Sequence, residues 1–180
     1  MRIKILNGNP NDGNVIFDDY MKDLSDLLTS RDHTVSILNL REIDIKYCIG
    51  CFVKTPGECV IKDGSIDVRR EYINADFVLF TSPVIMGFTS ALLKKTQDRL
   101  LPLMHPYFKP FQKQMHHISR YDKYPLTGPL IEKGKDTDEE DLKIISDIYR
   151  RDAVNLNSKL CFIKMITDPV EETANEFTGI

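Results

Sequence analysis

The chain has 180 residues, 42% of them hydrophobic and 28% charged, enough to bury one sizeable core and remain soluble. A formal net charge of −3 leaves no global field to attract nucleic acid or an anionic membrane surface. No apolar run approaches the roughly 20 residues of a bilayer span, and the N-terminus enters a strand without a leader pattern, so a cytoplasmic protein with no nucleic-acid or membrane partner is expected.

Arg2–Leu6 predicts a short buried strand. It runs into Asn7-Gly8-Asn9-Pro10-Asn11-Asp12-Gly13-Asn14, and a helical pattern opens at Val15. Strand, Gly-rich loop and helix make an anion site, because the first helical amides have no internal partner and sit at the positive end of the helix dipole. Gly8 and Gly13 are expected to turn with positive φ. Asn9, Asn11 and Asn14 add side-chain donors, and Asn14 can cap the helix. The same residue types also build an ordinary turn between strand and helix, so both readings stand at this point. The helix is predicted over Val15–Thr29, with Ile16, Tyr20, Leu24, Leu27 and Leu28 on its inner face.

A second strand is predicted at Thr34–Asn39. Leu40–Gly64 looks irregular and holds Cys48, Cys51 and Cys59; a short helix capped by Ser65 follows to Ile73. Phe77–Thr81 is a continuous apolar run, as in a strand buried on both faces. Ser82-Pro83-Val84-Ile85-Met86-Gly87 reads as a second loop, followed by a helix over Thr89–Leu101 with Leu92, Leu93, Thr96 and Leu100 facing in. Pro102, Pro106 and Pro110 break the chain. Gln114–Ser119 is predicted as the fourth strand, and Arg120–Asp136 as a polar loop carrying Tyr121 and Tyr124. A helix opens at Thr137, which with Glu140 forms a capping box, and runs to Asn157. Lys159–Ile166 is the fifth strand, and the tail has no strong pattern.

Five strands alternating with helices predict one domain over residues 1–180, with a parallel sheet covered on both faces. In such sheets ligands bind beyond the carboxyl ends of the strands. The loops after strands 1, 3 and 4 belong at that edge.

Three stretches carry a family resemblance. Asn7-Gly8-Asn9-Pro10 with Gly13-Asn14 is similar to a Gly-Ser-Pro loop followed by Gly-Asn-Thr. Ser82-Pro83-Val84-Ile85-Met86-Gly87 with Ser90 is similar to a Ser-Pro-Val-Tyr-Trp-Gly loop. Cys48-Ile49-Gly50-Cys51-Phe52 with Lys54-Thr55-Pro56-Gly57-Glu58-Cys59-Val60-Ile61-Lys62-Asp63 is the most specific. Together they make the chain resemble the flavodoxin-like NAD(P)H-dependent FMN reductases, in the branch near the iron–sulfur flavoproteins. The resemblance implies a flavodoxin-like three-layer α/β sandwich with strand order 2-1-3-4-5. It implies an FMN phosphate held by amides of Asn9, Asn11, Gly13, Asn14 and Val15 and by the Asn9 and Asn14 side chains. It implies a ring lined by Pro83, Val84, Ile85, Met86 and Gly87. Tyr121 either closes over that ring or anchors its own loop. Ping-pong turnover would pass electrons from NADH or NADPH through FMN to a small acceptor such as a quinone, in a homodimer. No catalytic side chain is nominated, since the flavin does the chemistry. A flavodoxin-like electron carrier, or a flavin-free thiol-switch protein, would use the same scaffold.

The sequence also departs from the pattern. Asn9 stands where the family carries Ser, Val15 where it carries Thr or Ser, and Ile85 and Met86 where it carries aromatics. Lys54 falls where a third cysteine is expected, and Cys161 sits in a strand. The incomplete set argues against an iron–sulfur cluster or structural zinc, which take four ligands. His116 and His117 alternate along a strand and cannot chelate together. Asp98-Arg99 reads as a structural ion pair or an interface contact, and Lys94-Lys95 as a solvated face.

Overall fold

A computed structural model describes residues 1–55, 57–111 and 113–180; Pro56 of the cysteine stretch lies outside them. The elements are β1 (Arg2–Asn7), α1 (Val15–Ser30), β2 (Thr34–Asn39), α2 (Ser65–Ile73), β3 (Phe77–Ile85), β4 (Phe88–Thr89), α3 (Ala91–Asp98), β5 (Met104–Phe111), β6 (Gln114–Ser119), β7 (Leu126–Glu132), α4 (Glu139–Asn155), β8 (Lys164–Met165) and α5 (Val170–Asn175). The parallel sheet runs in the order β2-β1-β3-β7-β8, with β4 folded back antiparallel on β3. Helices cover both faces. One core joins Leu6, Val78, Phe80 and Ile131 to Tyr72 of α2, Leu93 of α3, and Ile145 and Tyr149 of α4. The other joins Ile3, Ile5, Phe77, Leu79 and Leu130 to Phe17, Met21, Leu24 and Leu28 of α1, and to Ala174 and Phe177 near α5. This is the expected flavodoxin-like sandwich, and its 2-1-3-4-5 order holds.

The fourth strand, however, is not the predicted one. Gln114–Ser119 does form a strand, but β6 pairs antiparallel with β5 in a separate two-stranded hairpin. Pro106 and Pro110 lie inside β5, which tolerates them because a two-stranded ribbon leaves one edge of each strand unpaired. The central position belongs to β7, inside the stretch read as a polar loop. Its Gly128-Pro129 pair resembles a turn. Thr127 donates its amide to Lys159 O on the β8 side, so residue 129 faces the same way. The missing Pro129 donor therefore falls in the gap before the ladder resumes at Leu130–Lys164. Gly128 is needed because a Cβ there would lie 2.8 Å from the Phe162 ring, which stacks on Phe77.

Smaller differences have local causes. The inner face of α1 is Phe17, Met21, Leu24 and Leu28, with Tyr20 and Leu27 on its flank, whereas Ile16 is 77% exposed. Ser65 does not cap α2; Asp63 accepts the Ser65 amide instead. The α4 capping box is Asp138 with Asp141, one residue beyond Thr137 and Glu140, and Thr137 accepts from the Gly134 amide. The fifth strand is only two residues long, and the tail folds into α5.

Candidate functional site

Asn14 caps α1, its Oδ1 accepting from the Phe17 amide at 3.3 Å. Before it, the loop is fastened by three consecutive side-chain turns. Asn7 Oδ1 accepts the Asn9 amide, Asn9 Oδ1 the Asn11 amide, and Asn11 Oδ1 the Gly13 amide, at 3.0, 3.0 and 2.9 Å. Such short amides favour this geometry because they reach their own backbone two residues on. Gly8 and Gly13 are therefore not in the left-handed region as expected; the side chains do the turning. Gly8 is required for close approach instead: a Cβ there would lie 2.7 Å from Leu93 Cβ and 2.8 Å from Thr81 O. Among the described residues, the amides of Asp12, Val15 and Ile16 take no protein acceptor. These donors and the helix dipole suit an anion.

Asn9 does not present its side chain as expected. It is fully buried, and its Nδ2 donates to Asp18 Oδ1 at 3.2 Å, beside Asn7 Nδ2 at 2.9 Å. Asp18 also takes both terminal nitrogens of Arg41. Burial opposes its ionisation, but Arg41 and the two Asn amides outweigh this and hold the Asp18 carboxyl below its ordinary range. Asn9 thus shapes the loop from inside, through a hub that sequence reasoning missed.

Ser82–Ile85, read as a loop, continues β3 as a strand and turns back through Met86-Gly87 into β4, with Ile85 opposite Phe88. A two-residue hairpin turn of the I′ kind has positive φ at both corners, and Met86 and Gly87 have φ of 52° and 77°. Ser82 Oγ accepts the Ser90 amide, and Ser90 Oγ donates to Gly8 O at 2.6 Å, which clamps the hairpin base to the first loop. Val84 is buried in the core, so only its backbone faces the edge, while Ile85 is 44% and Met86 99% exposed. On the other side Pro83 pairs in register with Glu132, whose Oε2 accepts from Asn14 Nδ2 at 2.7 Å. Asn9, Asn11, Gly13, Asn14 and Val15 are thus gathered with Pro83–Gly87 at the carboxyl edge. Glu132 joins them unforeseen, because its strand went unrecognised.

Tyr121 is not among them. It precedes β7, whose first residue bonds Asp76 O ahead of β3, so it lies at the amino edge. There it packs against Tyr124, whose hydroxyl donates to Leu103 O. Anchoring its own loop, the other reading given above, is the one its position allows.

Cys48, Cys51 and Cys59 line one small cleft with Phe52, Asp98 and Arg99. Arg99 is 2% exposed and brackets the segment: it donates to Lys46 O and Ile61 O and pairs with buried Asp63 at 3.0 Å. Its partner is thus Asp63, while Asp98 pairs with Lys94. Among the described residues, no three His, Cys, Asp or Glu side chains are grouped to hold a metal ion. Cys161 stands apart beside β7, its thiol pushed up by burial. His116 and His117 bond in different directions, to Asn155 and to His105 O. Among the described residues, no helix is long and apolar enough to cross a membrane.

Comparison with known proteins agrees with this architecture. The chain is 27% identical over 99 residues to an iron–sulfur flavoprotein of Archaeoglobus fulgidus, covering 55% of this chain and 48% of that one. It spans half or less of the length of the curated relatives it matches. Among solved structures, an azoreductase from Bacillus anthracis superposes over the whole of both chains with a TM-score of 0.67 at 12% identity. An NAD(P)H:quinone oxidoreductase from Methanothermobacter marburgensis gives 0.66 at 16% identity, over 98% of this chain and 92% of that one. Both likenesses establish the fold. The model of the NADPH-dependent FMN reductase family matches residues 1–117, about two thirds of the sequence, and the chain belongs to that family.

Proposed function

We propose that the chain is a cytoplasmic FMN-dependent NAD(P)H oxidoreductase that passes electrons to a small acceptor such as a quinone. One observation carries this: unpaired α1 amides and an exposed apolar shelf meet at the carboxyl edge. Ile16, Ile85 and Met86 are 77%, 44% and 99% exposed, and a ligand seated at this edge would cover them. The residues fit FMN. The Val15 and Ile16 amides suit its phosphate, with Asn14 at the cap and Asn11 and Gly13 shaping the rim. The Pro83–Gly87 hairpin offers backbone polar groups and two apolar side chains to a flat ring.

When bound, FMN supplies the capacity to take hydride from a nicotinamide and release electrons to an acceptor. The chain positions it: Ser90 fixes hairpin to loop, Arg41 and Asp18 fix the loop to its helix, and Ile85 and Met86 exclude water from one side. No side-chain acid or base enters this account. Glu132 works against the phosphate, a carboxylate where negative charge must sit. On the β5–β6 hairpin, Tyr107, Phe108 and Met115 are exposed and would be covered in a homodimer.

The test is the absorbance spectrum of the purified protein, followed by FMN titration monitored by fluorescence quenching. Saturable binding with Kd of about 1 µM or tighter (roughly −8 kcal/mol), with NADH or NADPH oxidised in the presence of a quinone, is expected. FMN binding without nicotinamide turnover would identify an electron carrier. A colourless protein that ignores FMN would overturn both and favour a thiol protein working through the Cys48, Cys51 and Cys59 cleft.

A further inference from the structure

A second concave site lies away from the carboxyl edge. A cavity of about 440 Å³ opens between the β5–β6 hairpin and the C-terminal half of α4, a volume within the range of small-molecule sites. Its walls include Lys109, Phe111, His116, Arg150, Lys159 and Leu160. Three cationic residues, Lys109, Arg150 and Lys159, line it, and among the described residues no Asp or Glu does. Arg150 shares one nitrogen with Asp147 at 3.1 Å, but both groups are more than half exposed, so the pair is weak and the remaining donors are available.

The rest of the lining suits an organic body rather than a bare ion. Phe111 meets His116 edge-on, centroids 5.9 Å apart, and Ala153, Val154 and Leu160 continue the apolar wall. His116 is held by Asn155 through Nδ1 at 2.9 Å. Asn157 sits at the wall in a left-handed conformation, φ 52°; Ser119 donates to its Oδ1, while its buried Nδ2 has no partner among the described residues.

This site is separate from the proposed flavin edge. Lys159 O accepts from Thr127 at the start of β7, and Leu160 bridges the same residue. Glu132, which meets Asn14, ends that strand. Five residues of strand set the two places roughly 16 Å apart.

We propose that this cavity binds a small organic anion. A ring lies against Phe111 and Leu160, and a carboxylate or phosphate is held by Lys109, Arg150 and Lys159. The proposal stands independently of FMN.

The test uses the full chain and calorimetric titration with salicylate and with AMP, and with inorganic phosphate as the ion-only comparison. At least one organic probe should saturate with Kd below about 1 mM and bind at least tenfold more tightly than phosphate. Salicylate in preference to AMP would indicate a carboxylate ligand, and the reverse a nucleotide. The double variant Arg150→Ala/Lys159→Ala, and separately Lys109→Ala, should weaken binding about tenfold. All three side chains are exposed, so both proteins should fold, which the thermal midpoint checks. Saturating FMN should leave the probe affinity unchanged. No binding by either probe, equal binding of phosphate, full affinity in the variants, or displacement by FMN would each overturn the proposal.

Discussion

Glu132 and Asn14 face each other across the first loop, and that contact sets how readily an anion settles there. Asn14 Nδ2 is spent on Glu132 Oε2 at 2.7 Å, and the carboxylate adds negative charge beside the free α1 amides. Glu132→Gln keeps the shape and removes the charge. FMN affinity should rise by roughly 1 kcal/mol, about fivefold, in a fluorescence titration, and the gain should shrink at high salt. Arg99 is the residue-scale counterpart in the cysteine segment. Its loss would leave Asp63 buried without its cation and release the carbonyls of Lys46 and Ile61. Arg99→Leu should cost about 3 kcal/mol in urea unfolding. Thiol labelling of Cys48, Cys51 and Cys59 should also speed up, because their loop loses the staple that brackets it.

Among the elements, β7 shows where residue-level reading failed. Leu126–Glu132 carries a Gly-Pro pair that marks a turn in most contexts, while Gln114–Ser119 alternates like a strand. The first propensity was overridden; the second was met, but in a hairpin outside the parallel sheet. The sheet takes β7 because Phe162 needs the space at Gly128 and because the β8 ladder has a gap where Pro129 lacks its donor. β6 finds its partner next door in β5. Gly128→Ala should push Phe162 off Phe77 and destabilise the protein by about 1–3 kcal/mol in chemical denaturation. An unchanged midpoint would mean that the stack relaxes freely. The loop–helix unit of β1 and α1 was legible, because capping by Asn14 and the Gly-Asn turn residues act locally. The Met86-Gly87 hairpin was placed correctly along the chain but misread as a loop, since its pairing partner, β4, is only two residues long.

For the whole molecule, several carboxylates link stability to acid. Asp76 is held well below the ordinary range, first by the Arg2 amide and then by Lys123. In Asp63, hydrogen bonds from Ser65 and the Lys46 amide, with Arg99, overcome the burial that would raise it, and Asp18 behaves likewise. Their folded pKa values lie below the unfolded value of about 3.9. The stabilisation is therefore present above pH 4 and is lost as pH falls below it. Asp152, raised by burial, works in the opposite sense and offsets part of the loss. The urea midpoint should fall between pH 5 and pH 3, and Asp76→Asn should show a shallower fall. Identical slopes in the two proteins would remove Asp76 from this account.

By itself the sequence determined the features that depend on neighbours along the chain: the apolar strand Phe77–Thr81, the capped helix from Val15, the alternation of strand and helix, and the motifs that carry the family resemblance. Only the tertiary structure decided which segment fills the fourth place in the sheet, that Asn9 points into the Asp18 hub, that Tyr121 lies at the wrong edge, and that Glu132 meets Asn14. Local hydrogen bonding and periodicity are written in consecutive residues. Strand pairing, burial and the meeting of groups 118 positions apart are settled by packing and desolvation across the whole core, which no local pattern encodes.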